Sequence, residues 1–289
     1  MELAPEHITA AALVMPCARL PETLEFFRAR LGFRVDAIYP ADDPREVELS
    51  GHGVRLHLRR AAEDPTDPPR LRVVSSAAHE ARELIAPNGA RVEFVPASDD
   101  ATRALPPLRQ ELVLTHNDDR ARWIVGRAGM QYRDLVPGRL GGRFIASHIR
   151  IPAGGPVPDS VHFHEIRFQM IFCYRGWVRV VYEDQGPPFV LRAGDCVLQP
   201  PRIRHRVLES SPGLEVIEIG CPAEHPTRLD HALELPTAAR DPARDFSGQR
   251  FVRHEAERAR YLPWRAEGFE ARDTGIAAAT CGIATRLPN

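Results

Sequence analysis

Three histidines and one glutamine are the residues of this chain with the clearest chemistry. His162 and His164 are two positions apart, and successive side chains of an extended strand alternate faces, so both imidazoles project to one side. Gln169 follows after four intervening residues, and His205 follows Gly176, Gly194 and Pro200 further along. Imidazole nitrogens with one oxygen donor suit a divalent transition ion, and Fe, Mn, Ni, Cu and Zn all accept such a set. All four donors are neutral, which leaves a bound divalent ion near ~+2, where a carboxylate donor would lower it to about +1. Such a centre favours an anionic substrate. An enolate, a catecholate, a thiolate or a 2-oxo acid could chelate it, with the ion polarising the bound oxygen.

A β scaffold must hold these donors. Residues 143–151 alternate in polarity, and residues 168–174 are apolar and aromatic on both faces, as in a strand covered on two sides. Arg175-Gly176 makes a turn, residues 177–182 another strand, and residues 183–188 a polar loop with Gly and Pro. Residues 189–192 and 196–199 flank a turn at Gly194, after which Pro200-Pro201 leads to His205. Short strands joined by tight turns imply an all-β sandwich or barrel.

These residues resemble the cupin superfamily. Its first motif runs Gly, about five residues, His-x-His, three or four residues, Glu, six residues, Gly; its second runs Gly, five residues, Pro-x-Gly, two residues, His. Here Gly155, His162, His164, Gln169 and Gly176 match the first with one extra residue after Gly155, and Gly194, Pro200 and His205 match the second. Gln169 replaces the usual glutamate, and Arg202 stands where the second motif prefers glycine. The resemblance spans about residues 125–225 and implies a double-stranded β-helix, or jelly-roll, barrel with His162, His164, Gln169 and His205 as metal ligands. It also implies a choice of chemistries, since cupin dioxygenases and a His, His, Gln, His cupin isomerase both exist. Some barrels of the superfamily hold no metal.

Ahead of the barrel lies an α+β pattern. Residues 10–15 form an apolar strand candidate, and a helix starts at Pro21, with Leu20, Leu24, Phe27 and Leu31 at helical spacing and Gly32 at its end. Strands at 34–39, 46–49 and 54–58 complete a β-α-β-β-β order. A shorter unit follows: a strand at 71–74, a helix near 77–85, a stop at Pro87-Asn88-Gly89 and a strand at 91–95. Residues 20–27 and 31–33 resemble the first module of the glyoxalase and bleomycin-resistance family. That family's metal positions fall on Ala12 and on a strand without a terminal glutamate, so a degenerate, metal-free module is expected, with His52 and His57 solvated or packed. The expected layout is residues 1–100 for this module, 101–110 as linker, 111–232 as the barrel, whose first strands lie at 111–114 and 123–125, and 233–289 as an extension. The extension either braces the barrel or begins a truncated second cupin; His225, His231 and His254 in and near it lack motif spacing and read as solvated.

Composition bounds the rest. The chain has 289 residues, 43% apolar and 27% charged, an ordinary soluble balance. A net charge of −1 gives no case for nucleic acid, and the absence of lysine removes Schiff-base and P-loop lysine chemistry. Five scattered cysteines without a CxxC pair argue against a disulfide framework and for the cytoplasm, and no run is long and apolar enough for a membrane span. Both resembled families pair across two-fold axes, so a homodimer is expected.

Secondary candidates surround the four donors. Tyr182 and Glu218 sit on strand positions from which an acid or base could reach a substrate. Arg167, Arg179 and Arg204 could clamp a carboxylate if they faced the cavity, and His148 faces either the cavity or the surface, depending on register. The reading favoured from sequence is an Fe(II) dioxygenase acting on a small anionic molecule. The alternatives are a redox-neutral isomerase or lyase using Mn, Zn or Ni with the same residues, and a non-catalytic binding or sensor protein.

Overall fold

The computed structural model describes residues 7–76, 82–96, 104–116 and 122–284. The chain divides into two compact units, Met1–Ser98 and Asp99–Asn289.

In the first unit, strand β1 (Leu13–Cys17) leads to helix α1 (Leu20–Glu25), then β2 (Arg34–Tyr39), β3 (Glu46–Gly51) and β4 (Val54–Arg60). The sheet order is β1-β4-β3-β2, with β1 parallel to β4. Pairing with β4 sets the span of β1, which runs later than the apolar run at 10–15 suggests. After α1 the helix widens into a π turn over Phe26–Arg30, and Gly32 ends it with φ +71°, a conformation that a β-carbon disfavours. Leu20, Phe27 and Leu31 bury the helix's apolar stripe against Met15, Leu49, Leu56 and Leu58.

A three-stranded sheet completes this unit: β5 (Arg70–Ser75), β6 (Arg82–Ile85) and β7 (Arg91–Pro96), in the order β5-β7-β6. The helix expected near 77–85 is not found over 82–85, which is a strand; residues 77–81 lie outside the described residues. Four backbone positions of β6 pair with β7, and Leu84 reaches the core, so tertiary pairing overrides the helical composition.

The second unit opens with β8 (Ile124–Val125), β9 (Gln131–Asp134), β10 (Ile145–Ile151), β11 (Gly155–Pro156) and β12 (His162–His164). It continues with β13 (Phe168–Arg175), β14 (Trp177–Tyr182), β15 (Phe189–Arg192), β16 (Cys196–Leu198) and β17 (His205–Ser210). Then come β18 (Leu214–Cys221), β19 (Thr227–Leu229), β20 (Val252–His254) and a hairpin of β21 (Tyr261–Pro263) with β22 (Glu270–Arg272). One sheet has the order β20-β16-β13-β18-β10-β9-β8, and the other β15-β14-β17-β12-β19, with β11 also on β17. The protein is mainly β, and these two sheets make a jelly roll.

Turn chemistry places the strands. Gly176 sits at φ +76°, and an added β-carbon would lie 2.4 Å from Ser211 Oγ, so the β13–β14 turn needs glycine there. Residues 111–114, expected as a strand, have no regular structure, and Leu112 and Leu114 are exposed. Phe168, Met170 and Phe172 read as apolar because the later chain covers the outer face of β13: Val252, Ile276 and Ala279 pack there. The part of the extension from β20 onward thus adds a strand to β16 and a cover to the sheet. All five cysteines are free, and no described helix is long and apolar enough to cross a membrane.

Candidate metal centre

The three histidines come from adjacent strands. β12 lies between β17 and β19, with His162 opposite His205 and His164 opposite Thr227. Ring centroids are 4.2 Å apart for His162 and His205, 5.2 Å for His162 and His164, and 5.3 Å for His164 and His205. His162 Nδ1–H donates to the Ser160 carbonyl at 2.8 Å, and His205 Nδ1–H to the Ile203 carbonyl at 3.0 Å. A carbonyl only accepts, so both rings carry the proton on Nδ1 and keep the lone pair on Nε2. The Thr227 hydroxyl holds His164 Nδ1 at 2.9 Å, which directs the third ring in the same way.

These rings fit a metal ion. One nitrogen from each lies within 4.8 Å of the others, close to the span that bonds of ~2.1 Å to a common ion allow. His162 Nε2 is fully buried without a hydrogen-bond partner, which native interiors rarely tolerate unless an ion or ligand satisfies the atom. Burial is the largest cause keeping each imidazole neutral; the Arg127 charge adds to it in all three, and neighbouring histidines add to it in His164 and His205. The His164 pKa falls to about 2, His205 lies well below the ordinary imidazole value, and His162 is lowered as well. Neutral imidazole is the ligating form.

Behind His162 lies a carboxylate. Asp159 is buried, accepts the Ser160 and Val207 N–H groups at 3.0 Å each, pairs with Arg127, and has Oδ1 3.7 Å from His162 Nδ1. It ties the turn carrying Arg127 to the strand bearing His162.

Gln169 and Glu218 reach the cavity from the opposite sheet. Gln169 is buried, and its amide nitrogen donates to Glu218 Oε1 at 2.5 Å, which leaves the amide oxygen as the remaining acceptor. Both residues line a cavity of about 420 Å³ together with His164, His205, Tyr182 and Arg127. His162 stands behind it, fully buried. Tyr182 stacks on His205 with centroids 5.4 Å apart, and burial raises its hydroxyl pKa.

Register sorts the cavity walls into rows. On the seven-stranded sheet, Gln169, Gly220 and Ile145 align, then Ile171, Glu218 and Ser147, then Cys173, Val216 and Ile149, then Leu214 and Ile151. On the facing sheet, His162, His205 and Tyr182 align, then Val207 and Val180, then Val178 with Leu191. The donors thus gather at one end, and the rows beyond them are aliphatic apart from Tyr132, which pairs with Ile149 and also lines the cavity.

Four residues considered as substrate contacts do not line this cavity. Arg179 is exposed and pairs with Glu209 at 3.2 Å; it alternates with the inward Val178 and Val180 and so faces out. Arg204 precedes the inward His205, pairs with Asp230 at 3.2 Å and lies over the Phe163 ring. Arg167 lines a separate pocket. His148 is buried on the far side of β10, where it accepts from Arg133 at 2.8 Å and donates to Glu215 at 2.8 Å. Ser147 and Ile149 take the inward positions of that strand. His225, expected as a solvated histidine, is half-buried, lines the cavity and lies 5.4 Å from His164 between ring centroids. The chain path from β18 to β19 brings it there, a route no local pattern announces. Arg127 opens a three-residue 3-10 turn (Arg127–Gly129) and Asp159 lies in a loop, and neither carries a periodic signal.

No family model and no curated protein matches the chain. Among solved structures, it is similar to a point variant of the oxalate decarboxylase of Bacillus subtilis, with 14% identity over 42% of this chain and 34% of that one, at a TM-score of 0.33. The chain therefore spans about a third of that enzyme's length. It is similar to the polyketide cyclase RemF of Streptomyces resistomycificus, with 22% identity over 44% of this chain and 90% of that one, at a TM-score of 0.36. An RmlC-like cupin of Shewanella frigidimarina has 21% identity over 40% of this chain and 96% of its own, at a TM-score of 0.33.

Proposed function

We propose that this protein is a metal-dependent enzyme acting on a small anionic molecule that chelates its metal. His162, His164 and His205 would hold a divalent transition ion through Nε2, and Gln169 through its amide oxygen. The observation that carries this reading is the convergence of three neutral imidazoles, one with a buried, unpartnered Nε2. Once bound, the ion supplies Lewis-acid polarisation of a coordinated oxygen.

The chain's own groups supply the rest. Glu218, held by the Gln169 amide, is the carboxylate on the cavity wall and the acid–base candidate. Tyr182 keeps its proton, since burial raises its pKa, and so serves as a hydrogen-bond donor. Aliphatic side chains line the cavity beyond these groups, where they would hold the apolar part of a substrate.

The favoured reaction is Fe(II)-dependent dioxygenation, because four neutral donors keep the charge that draws in an enolate beside O₂. A redox-neutral isomerase or lyase is the second reading, favoured by Glu218, which could move a proton without any oxidant. Metal analysis of protein purified without added metal tests the shared claim, with about one equivalent expected, and a metal-free preparation that takes up none overturns it. Oxygen uptake on turnover then separates the two reactions.

A further inference from the structure

The row order of the cavity limits what it can hold. Two residues of strand advance ~7 Å, so the two aliphatic rows beyond the donors give a depth of roughly 13 Å. Val178, Val180, Leu191, Ile149, Leu214 and Val216 bound this depth and offer a ligand no side-chain polar atom. Among the described residues, Arg127 is the one guanidinium on the lining, and its Nη1 is already paired with Asp159. A small dicarboxylate would find no second free cation among these lining residues and would leave the aliphatic end to water that has the Tyr132 hydroxyl as its one side-chain hydroxyl partner in those rows.

Resting on the metal reading, we propose that the substrate is a ring-sized, mainly apolar molecule of about two fused rings, with one polar edge bearing a chelating pair of oxygens. An enolised 1,3-dicarbonyl or an ortho-hydroxy ketone has this form. The oxygens face His164, His205 and Gln169, and the body fills the aliphatic rows, as in small-molecule sites whose few polar groups orient an apolar ligand.

Calorimetric titration of the Zn(II)-loaded protein tests this with ligands that share one head: acetylacetone and 1-(2-naphthyl)-1,3-butanedione, with oxalate as the small dianion. The naphthyl compound should bind at least tenfold tighter than acetylacetone, and oxalate no tighter than acetylacetone. Val180→Phe or Ile149→Phe, whichever keeps its zinc, should cut the naphthyl advantage over acetylacetone to under twofold. Equal affinity for the two diketones, tighter binding of oxalate, or a naphthyl advantage untouched by a folded variant overturns the proposal. Zinc content separates its failure from that of the metal reading. If no zinc binds, 2-naphthol against phenol in the metal-free protein decides the claim about the apolar body by the same tenfold criterion.

Discussion

His162 and His205 face each other across paired strands, and each donates its Nδ1–H to the carbonyl of the residue two positions before it. One backbone device, used twice, fixes the tautomer of both rings and leaves both Nε2 lone pairs free for a ligand. The scaffold holds the three histidines in place before any ion arrives, so the fold sets the geometry in advance, as the hydrogen-bond partners behind metal ligands do.

Loss of the third ring's anchor should weaken metal binding without unfolding the barrel. Thr227 is exposed, and Thr227→Val removes only the hydroxyl that holds His164 Nδ1. We expect affinity for Zn(II) or Fe(II) to fall by about tenfold, at the lower end of the ~10–100-fold loss that follows removal of a ligand's hydrogen-bond partner. Competition with a chromogenic chelator reads this directly, and an unchanged affinity would mean that the hydroxyl does not orient the ring.

Acid should destabilise the metal-free protein. The folded state holds His162, His164 and His205 neutral below the ordinary imidazole pKa, whereas the unfolded chain takes up a proton at each near ~6.5. The unfolded state therefore binds more protons as pH falls below that value, and the stability present above it is lost. Urea unfolding of chelator-treated protein should show a loss of roughly 2–4 kcal/mol between pH 7.5 and 5.5, with bound metal moving the onset lower. Stability that is flat or rising on acidification would contradict neutral rings in the folded state.

Gln169→Glu should make the metal-free protein less stable and the metal-bound one tighter. The amide now donates to Glu218, and a carboxylate in its place would face a like charge, so one of the two must take a proton near neutral pH. The affinity for a divalent ion should rise at least tenfold while the melting temperature of the metal-free variant falls. An unchanged affinity would remove residue 169 from the ligand set.

Much of this site was legible because β periodicity is short. His-x-His implies one face, and the same alternation could have turned Arg179 and Arg204 outward, since each neighbours an inward residue. His148 was ambiguous because a shift of one residue reverses a strand, and only pairing with β9 and β18 settles its side. Arg127 sits in a three-residue 3-10 turn, and Asp159 and His225 sit in loops, where tertiary path alone decides what meets the cavity. In the first unit, the βαβββ order was readable from spacing, whereas β6 was not, because its strand character comes from β7.

Arg202 sits where the backbone itself favours glycine. Its φ is +62°, in the left-handed region, and its side chain pairs with Glu165 at 3.4 Å. Arg202→Gly should relieve that strain and raise stability by about 0.5–1 kcal/mol, with metal content unchanged. Denaturant midpoints of the two proteins at pH 7.5 measure it, and a lower midpoint would show that the ion pair outweighs the strain.

The most direct measurement is anomalous diffraction from crystals of the metal-loaded protein, recorded on both sides of the metal's absorption edge. The expected result is a single anomalous peak bonded to Nε2 of His162, His164 and His205 and to the amide oxygen of Gln169. A fully loaded crystal with no peak among those four atoms, or with its peak elsewhere, would contradict the metal centre on which the proposed activity rests.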